Sequence, residues 1–174
     1  NACGQCPSCV DNHPGACQTV TDRSDHPISG ADGTPYAQGV RTGAFAEAVV
    51  VDQSQLVPIP ADLPMDAACL LSCGVITGIG AVVNSAGLRA GQRAVIIGAG
   101  GVGLNAIQGA RIAGASHVVA VDMVPEKLDI AMEFGATAAV LGTGERPWSQ
   151  AKKIMGGGAD HVFVATGAIA AFDT

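Results

Sequence analysis

From residue 92 onward the chain alternates short apolar runs with longer mixed stretches. Residues 93–97, 117–121, 138–141 and 161–165 open on Arg, His or Ala and continue in Val, Ile, Ala, Leu or Phe. A strand covered on both faces reads this way, so each run predicts a buried parallel strand. Between them the spacing predicts helices over 104–113, 125–134 and 148–155. Gly114 follows the first, while the second carries Pro125 and Glu126 in its first turn and Gly135 just past its end. These residue types start and stop helices. Such alternation makes right-handed crossovers and a parallel sheet. The predicted fold class is α/β, a partial doubly wound (Rossmann) sheet with four strands where a complete one has six.

Before residue 92 the pattern is less regular. Residues 21–42 are rich in Gly, Asp, Ser and Pro and read as loop. Residues 43–51 end in Val49, Val50 and Val51 and predict a strand. The prolines of 57–64 push their predecessors out of helical space, so that stretch is expected to be extended. A short helix is predicted over 65–72, with Asp66 near its start. A second, over 74–87, is apolar nearly all round and is expected to be packed on both sides. The organisation changes near residue 73, giving segments 1–72 and 73–174.

Four cysteines crowd the start of the chain at the spacing Cys3-x2-Cys6-x2-Cys9-x7-Cys17. A tetrahedral zinc ion takes four deprotonated sulfurs, and a Cys-x2-Cys step lets one turn present two of them. Gly4, Pro7, Pro14 and Gly15 supply the turns. Four thiolates with no open position describe a structural site. Two disulfides or four unrelated thiols are the alternatives, and disulfides require an oxidising compartment.

A second candidate lies between the first two predicted strands. Gly98, Gly100, Gly101, Val102 and Gly103 belong to a G-x-G-x-x-G turn with a strand before it and a helix after it. Gly98 suits a tight turn, Gly100 lets backbone approach a pyrophosphate, and Gly103 allows close helix–strand packing. Asp122 ends the next strand, where a carboxylate accepts hydrogen bonds from an adenosine ribose diol and repels a 2′-phosphate. NAD is therefore expected rather than NADP. Lys127 stands near enough to reach the same ribose, or is a solvated surface lysine. The competing reading is a bare turn, with Asp122 capping the following helix. Cys73 is a candidate metal ligand at a helix start or a small core residue, and Cys69 reads as core. His13 and His26 read as surface residues, Trp148 as a packing residue, and His117 and His161 receive no role.

Composition narrows the partners. The 174 residues are 48% hydrophobic and 14% charged, with net charge −6 and 24 glycines. That is a globular balance with no disordered signature. The acidic surplus argues against nucleic acid or an anionic membrane. Glycines and polar residues are expected to keep any apolar run below the 18 residues of a span. No signal-peptide pattern opens these residues, which says little about a longer parent. The chain opens on Asn1 without Met and ends at Thr174 just past a predicted strand, so a piece of a longer polypeptide is expected.

Together these features resemble the zinc-containing alcohol dehydrogenases of the medium-chain dehydrogenase/reductase superfamily. The likeness rests on the four-cysteine lobe, Gly43-Ala-Phe-Ala-Glu47, Cys73-Gly-Val-Ile-Thr77-Gly78, the glycine turn, Asp122 and Gly158-Ala-Asp160. It implies that 1–72 is part of a β-rich catalytic domain carrying the structural zinc, and that 73–174 is part of an NAD-binding domain. By the same likeness Cys73 is a catalytic-zinc ligand, Thr77 contacts the nicotinamide side, and Ala165, Thr166 and Gly167 lie near the nicotinamide ribose. The implied activity is hydride exchange between NAD and a small alcohol or aldehyde, or a thiol adduct of formaldehyde, by a cytoplasmic homo-oligomer. The other catalytic-zinc ligands, the proton relay and the last sheet strands are expected outside residues 1–174, leaving these residues inactive alone. A zinc-free quinone reductase of the same superfamily is one alternative reading. A zinc-ribbon module fused to a dinucleotide-binding domain without catalysis is the other.

Overall fold

The computed structural model describes residues 2–18, 28–36, 43–51 and 53–172. They divide into two compact units, Asn1–Ala61 and Asp62–Thr174.

In the second unit the four apolar runs become strands: β3 (Arg93–Ile97), β4 (His117–Asp122), β5 (Ala138–Leu141) and β6 (His161–Val164). They pair in parallel in the order β5-β4-β3-β6. The order follows from right-handed crossovers, which carry the chain outward twice and then back to the open side of β3. Helices α3 (Gly101–Ile112), α4 (Pro125–Glu133) and α5 (Pro147–Ile154) connect them. Strand periodicity divides the core. Ala94, Ile96, Val118 and Ala120 pack with Ile107, Ala110, Leu128 and Ala131 on one face. Val95, Val119, Val121 and Val140 pack with Ala151 and Met155 on the other. Ile96, Ile107 and Val118 are 0% exposed, and burial of such side chains stabilises by about 1.5–3 kcal/mol each.

Helix α3 begins three residues earlier than the apolar pattern indicates, because Gly100 is extended (φ −85°, ψ −172°) and the helix starts at once on Gly101. The two helices expected over 65–72 and 74–87 are a single helix, α2, Met65–Ser85. Two π-helical stretches, Leu71–Val75 and Ala81–Ser85, lie within it. No proline interrupts this segment, and its glycines are tolerated because Gly78 packs to backbone contact on α3, against Val102, Asn105 and Ala106. The expected burial on both sides does not occur. Gly78 and Val82 are buried, but Ile76 is 61% exposed and Leu70 60%. By length and composition α2 can cross a membrane, its best window reaching a mean hydropathy of 1.9. The glycines and few polar residues expected to keep apolar runs below span length do not do so here, because Ala, Val, Ile and Leu around them keep the window apolar. The backbone contact of Gly78 and the burial of Val82 in the sheet's core tie this helix to the domain.

The first unit carries α1 (Pro7–Val10) and a small antiparallel hairpin, β1 (Ile28–Ser29) with β2 (Pro35–Tyr36). The hairpin interrupts the expected loop, its turn held by Asp32, which accepts from the Thr34 N–H at 3.0 Å and the Thr34 hydroxyl at 2.8 Å. Residues 19–27, with His26, and 37–42 lie outside the described residues. The strand expected over 43–51 is absent, and Phe45 and Val50 are fully exposed. A β-branched run forms a strand only when another strand takes up its N–H and C=O groups, and among the described residues this one has none. The hairpin is the only strand pairing in that unit among the described residues.

Candidate functional site

The sulfur quartet is built from short, sharply turned pieces. Cys6 is extended (φ −75°, ψ 162°) and hands over to α1, whose single turn begins on Pro7. That turn brings Cys9 back beside Cys6, with the sulfurs 3.5 Å apart. A 3-10 turn, Pro14–Ala16, returns Cys17 to within 3.9 Å of Cys6. Gly4 takes φ +76° between Cys3 and Cys6, a conformation that glycine adopts without strain. All four Sγ atoms lie within 4.8 Å of one another. A zinc–sulfur bond of about 2.3 Å gives a tetrahedron about 3.8 Å on edge, so the quartet fits the ion. The separations are far from the ~2 Å of a disulfide. Two backbone donors already point at sulfur, Cys3 N–H to Cys17 Sγ and Cys6 N–H to Cys3 Sγ, each at 3.3 Å. Among the four thiols, desolvation is the main cause raising Cys9 to about 11, opposed by a backbone hydrogen bond from Gly4. A bound cation reverses that preference, because coordination deprotonates a thiol outright. His13 is exposed.

The glycine turn lies at the carboxyl end of β3. Gly98 has φ +97°, and a Cβ there would stand 2.9 Å from the Ala165 carbonyl oxygen and 3.2 Å from Thr166 Cβ. At Gly103 a Cβ would run into the Gly98 carbonyl. The fold itself demands glycine at both places. It makes no such demand at Gly100 or Gly101: their φ values are not positive, and an added Cβ would meet nothing within 4 Å. Side chains there would fill open space at the start of α3, the end of a helix that favours an anion. This cradle fits a pyrophosphate.

Asp122 closes the turn from the neighbouring strand. Its Oδ2 accepts the Ala99 N–H at 2.7 Å and its Oδ1 the Val124 N–H at 3.0 Å. Lys127 is exposed on the first turn of α4. Cys73 lies on the exposed side of α2 within its first π-helical stretch, and Thr77 is one turn further on. Gly78 presses that part of α2 against Val102, while Thr77 beside it is exposed. Ala165 and Thr166 abut Gly98 from the end of β6. The structure thus gathers the glycine turn, Asp122, Ala165 and Thr166 around one edge of the sheet. Cys69, expected in the core, is exposed and donates to the Asp66 carbonyl at 3.1 Å.

A family profile described as zinc-binding dehydrogenase matches residues 101–174. Alcohol dehydrogenase 1 of Pisum sativum is 35% identical over 97% of this chain. The chain belongs to the zinc-containing alcohol dehydrogenases. S-(hydroxymethyl)glutathione dehydrogenase of Paracoccus denitrificans is 32% identical over 95% of the chain. A crystal structure of an alcohol dehydrogenase zinc-binding domain protein from Burkholderia ambifaria superposes with a TM-score of 0.87 at 33% identity, covering 99% of this chain and 49% of that one. The chain spans about half the length of the curated relatives it matches, 47% of the Pisum enzyme and 48% of the Paracoccus one.

One site contributor, Ala99, and one clasp at the opposite, amino edge of the sheet, Asp160 with Arg93, were given no role in the sequence. Ala99 supplies a backbone N–H to Asp122, and no side-chain pattern announces a backbone donor. Asp160 accepts the Arg93 N–H at 2.7 Å and lies 3.5 Å from the guanidinium. Asp160 was marked only as part of the Gly158-Ala-Asp160 likeness and as an acid directly before an apolar run.

Proposed function

We propose that this chain serves an NAD-dependent zinc alcohol dehydrogenase acting on a small primary alcohol, its aldehyde, or a thiol adduct of formaldehyde. The observation that carries the reading is Gly100: the fold leaves its side-chain space empty at the start of α3 without needing glycine there. In this reading residues 73–174 belong to the NAD-binding domain and residues 1–72 to the catalytic domain with its structural zinc lobe. Asp122 and Lys127 hold the adenosine ribose, and the N–H groups of the glycine turn take the pyrophosphate. Thr77, Ala165, Thr166 and Gly167 flank the nicotinamide end. Cys3, Cys6, Cys9 and Cys17 hold a structural zinc, and Cys73 supplies one ligand of the catalytic zinc. When bound, that zinc polarises the alcohol oxygen as a Lewis acid and NAD accepts the hydride. Reduced thiols suit a cytoplasmic setting.

The test is metal analysis and NADH formation by the whole protein, scanned over primary alcohols with and without glutathione and formaldehyde. The reading expects zinc, NAD-dependent turnover, and preference for NAD over NADP. A protein that binds NAD and zinc but oxidises no alcohol would favour the non-catalytic module. Zinc-independent quinone reduction would favour the other superfamily branch.

A further inference from the structure

We propose that Asp122 is also a positioning residue for the pyrophosphate site, because its carboxylate braces the glycine turn whether or not a ribose is bound. The proposal rests on the cofactor reading above. Ala99, at the heart of the turn, is 3% exposed, and its N–H is taken by Asp122 Oδ2 at 2.7 Å. The preceding N–H, of Gly98, is taken by the Val121 carbonyl at 2.7 Å. Two consecutive donors of the turn are therefore tied to the last two residues of β4. The other oxygen of Asp122 accepts the Val124 N–H at 3.0 Å, which fixes the carboxylate from its far side.

Removing the carboxylate leaves a buried N–H without an acceptor, which is costly. The turn relieves that cost only by moving Ala99 toward water. Gly100 and Gly101 follow Ala99 directly, so the anion cradle moves with it. Bracing and ribose recognition do not compete. A carboxylate has about four acceptor positions, and the two backbone donors leave two for a vicinal diol. Asparagine has one acceptor oxygen, and its amide nitrogen would face the other N–H, so it restores the brace only in part.

Two ligands separate the roles: ADP, and 2′,3′-dideoxy-ADP, which has the pyrophosphate but no diol. In the full chain, Asp122→Ala is expected to weaken dideoxy-ADP by about tenfold or more, the loss of one charge-assisted bond. Asp122→Asn is expected to fall between Asp122→Ala and the native protein. Without ligand, amide exchange at Ala99 is expected to accelerate in Asp122→Ala, while Val119 in the sheet centre stays protected. Undiminished dideoxy-ADP binding, with only ADP weakened, overturns the brace and leaves the diol role standing. Equal acceleration at Ala99 and Val119 overturns it too, since the loss would then be global. Native protein that binds neither ligand overturns the cofactor reading and this proposal together.

Discussion

Asp160 precedes β6 and bonds to Arg93, the first residue of β3, through both the backbone N–H and the guanidinium. The Arg93 N–H is the main cause holding its carboxyl below the ordinary carboxylate range, with the Arg93 charge adding to it. A depressed folded-state pKa contributes stability that is present above the unfolded value, near 3.9, and is lost as pH falls through the folded value. Denaturation midpoints are therefore expected to drop on acidification below about pH 4, and Asp160→Asn to flatten that dependence at a cost near neutrality. The glycines give a second contrast. Gly103→Ala drives a methyl into the Gly98 carbonyl and is expected to cost about 2–4 kcal/mol in unfolding. Gly100→Ala meets open space and is expected to change stability by less than about 0.5 kcal/mol, yet to weaken ADP in calorimetric titration. Equal stability losses at the two glycines would count against the assignment of Gly100 to a ligand.

The cysteine lobe is an element held together by four sulfurs rather than by a core, for none of the residues of α1 is buried. One tightly bound zinc is expected by elemental analysis, and Cys9→Ser is expected to lose most of it. The melting of the β3–β6 sheet should stay unchanged in that variant, because the lobe belongs to the other unit. Much of this level was legible beforehand. Ligand spacing in the lobe and apolar runs in the sheet are local signals, so the four strands and the sulfur quartet appear where the residues indicated. What was not legible depends on partners distant in sequence. The three valines of 49–51 find no neighbouring strand among the described residues. The break expected near Cys73 is bridged by a continuous helix, since Gly78 gains the close approach to α3 that offsets its poor helix propensity. Asp122 was legible as an acid after a strand, but its bond to Ala99 required the turn to be folded.

At the scale of the molecule, β6 pairs with β3 on one side only among the described residues, and its Val162 is 57% exposed. Beside it an apolar cavity of about 230 Å³ is lined by Trp148, Met155 and Ala159 as well as Val162. An apolar strand edge of this kind recruits other chains. Residues 1–174 alone are expected to associate with rising concentration in sedimentation, and Val162→Lys to reduce that association. Unchanged association in the variant would move the sticky surface elsewhere, with the exposed side of α2 the next place to test.

The strand order also sets a timetable. β3 lies inside the sheet, yet its second neighbour, β6, is made only after α4, β5 and α5. On a ribosome one side of β3 is thus satisfied early, while the other waits, apolar and unpaired, for a long stretch of synthesis. Domains that close late in this way spend their vulnerable interval as nascent chains. The Arg93–Asp160 clasp joins the starts of the first and last strands of the four-stranded sheet among the described residues. If it helps seat β6, slower acquisition of protease resistance during translation is the outcome expected when it is removed.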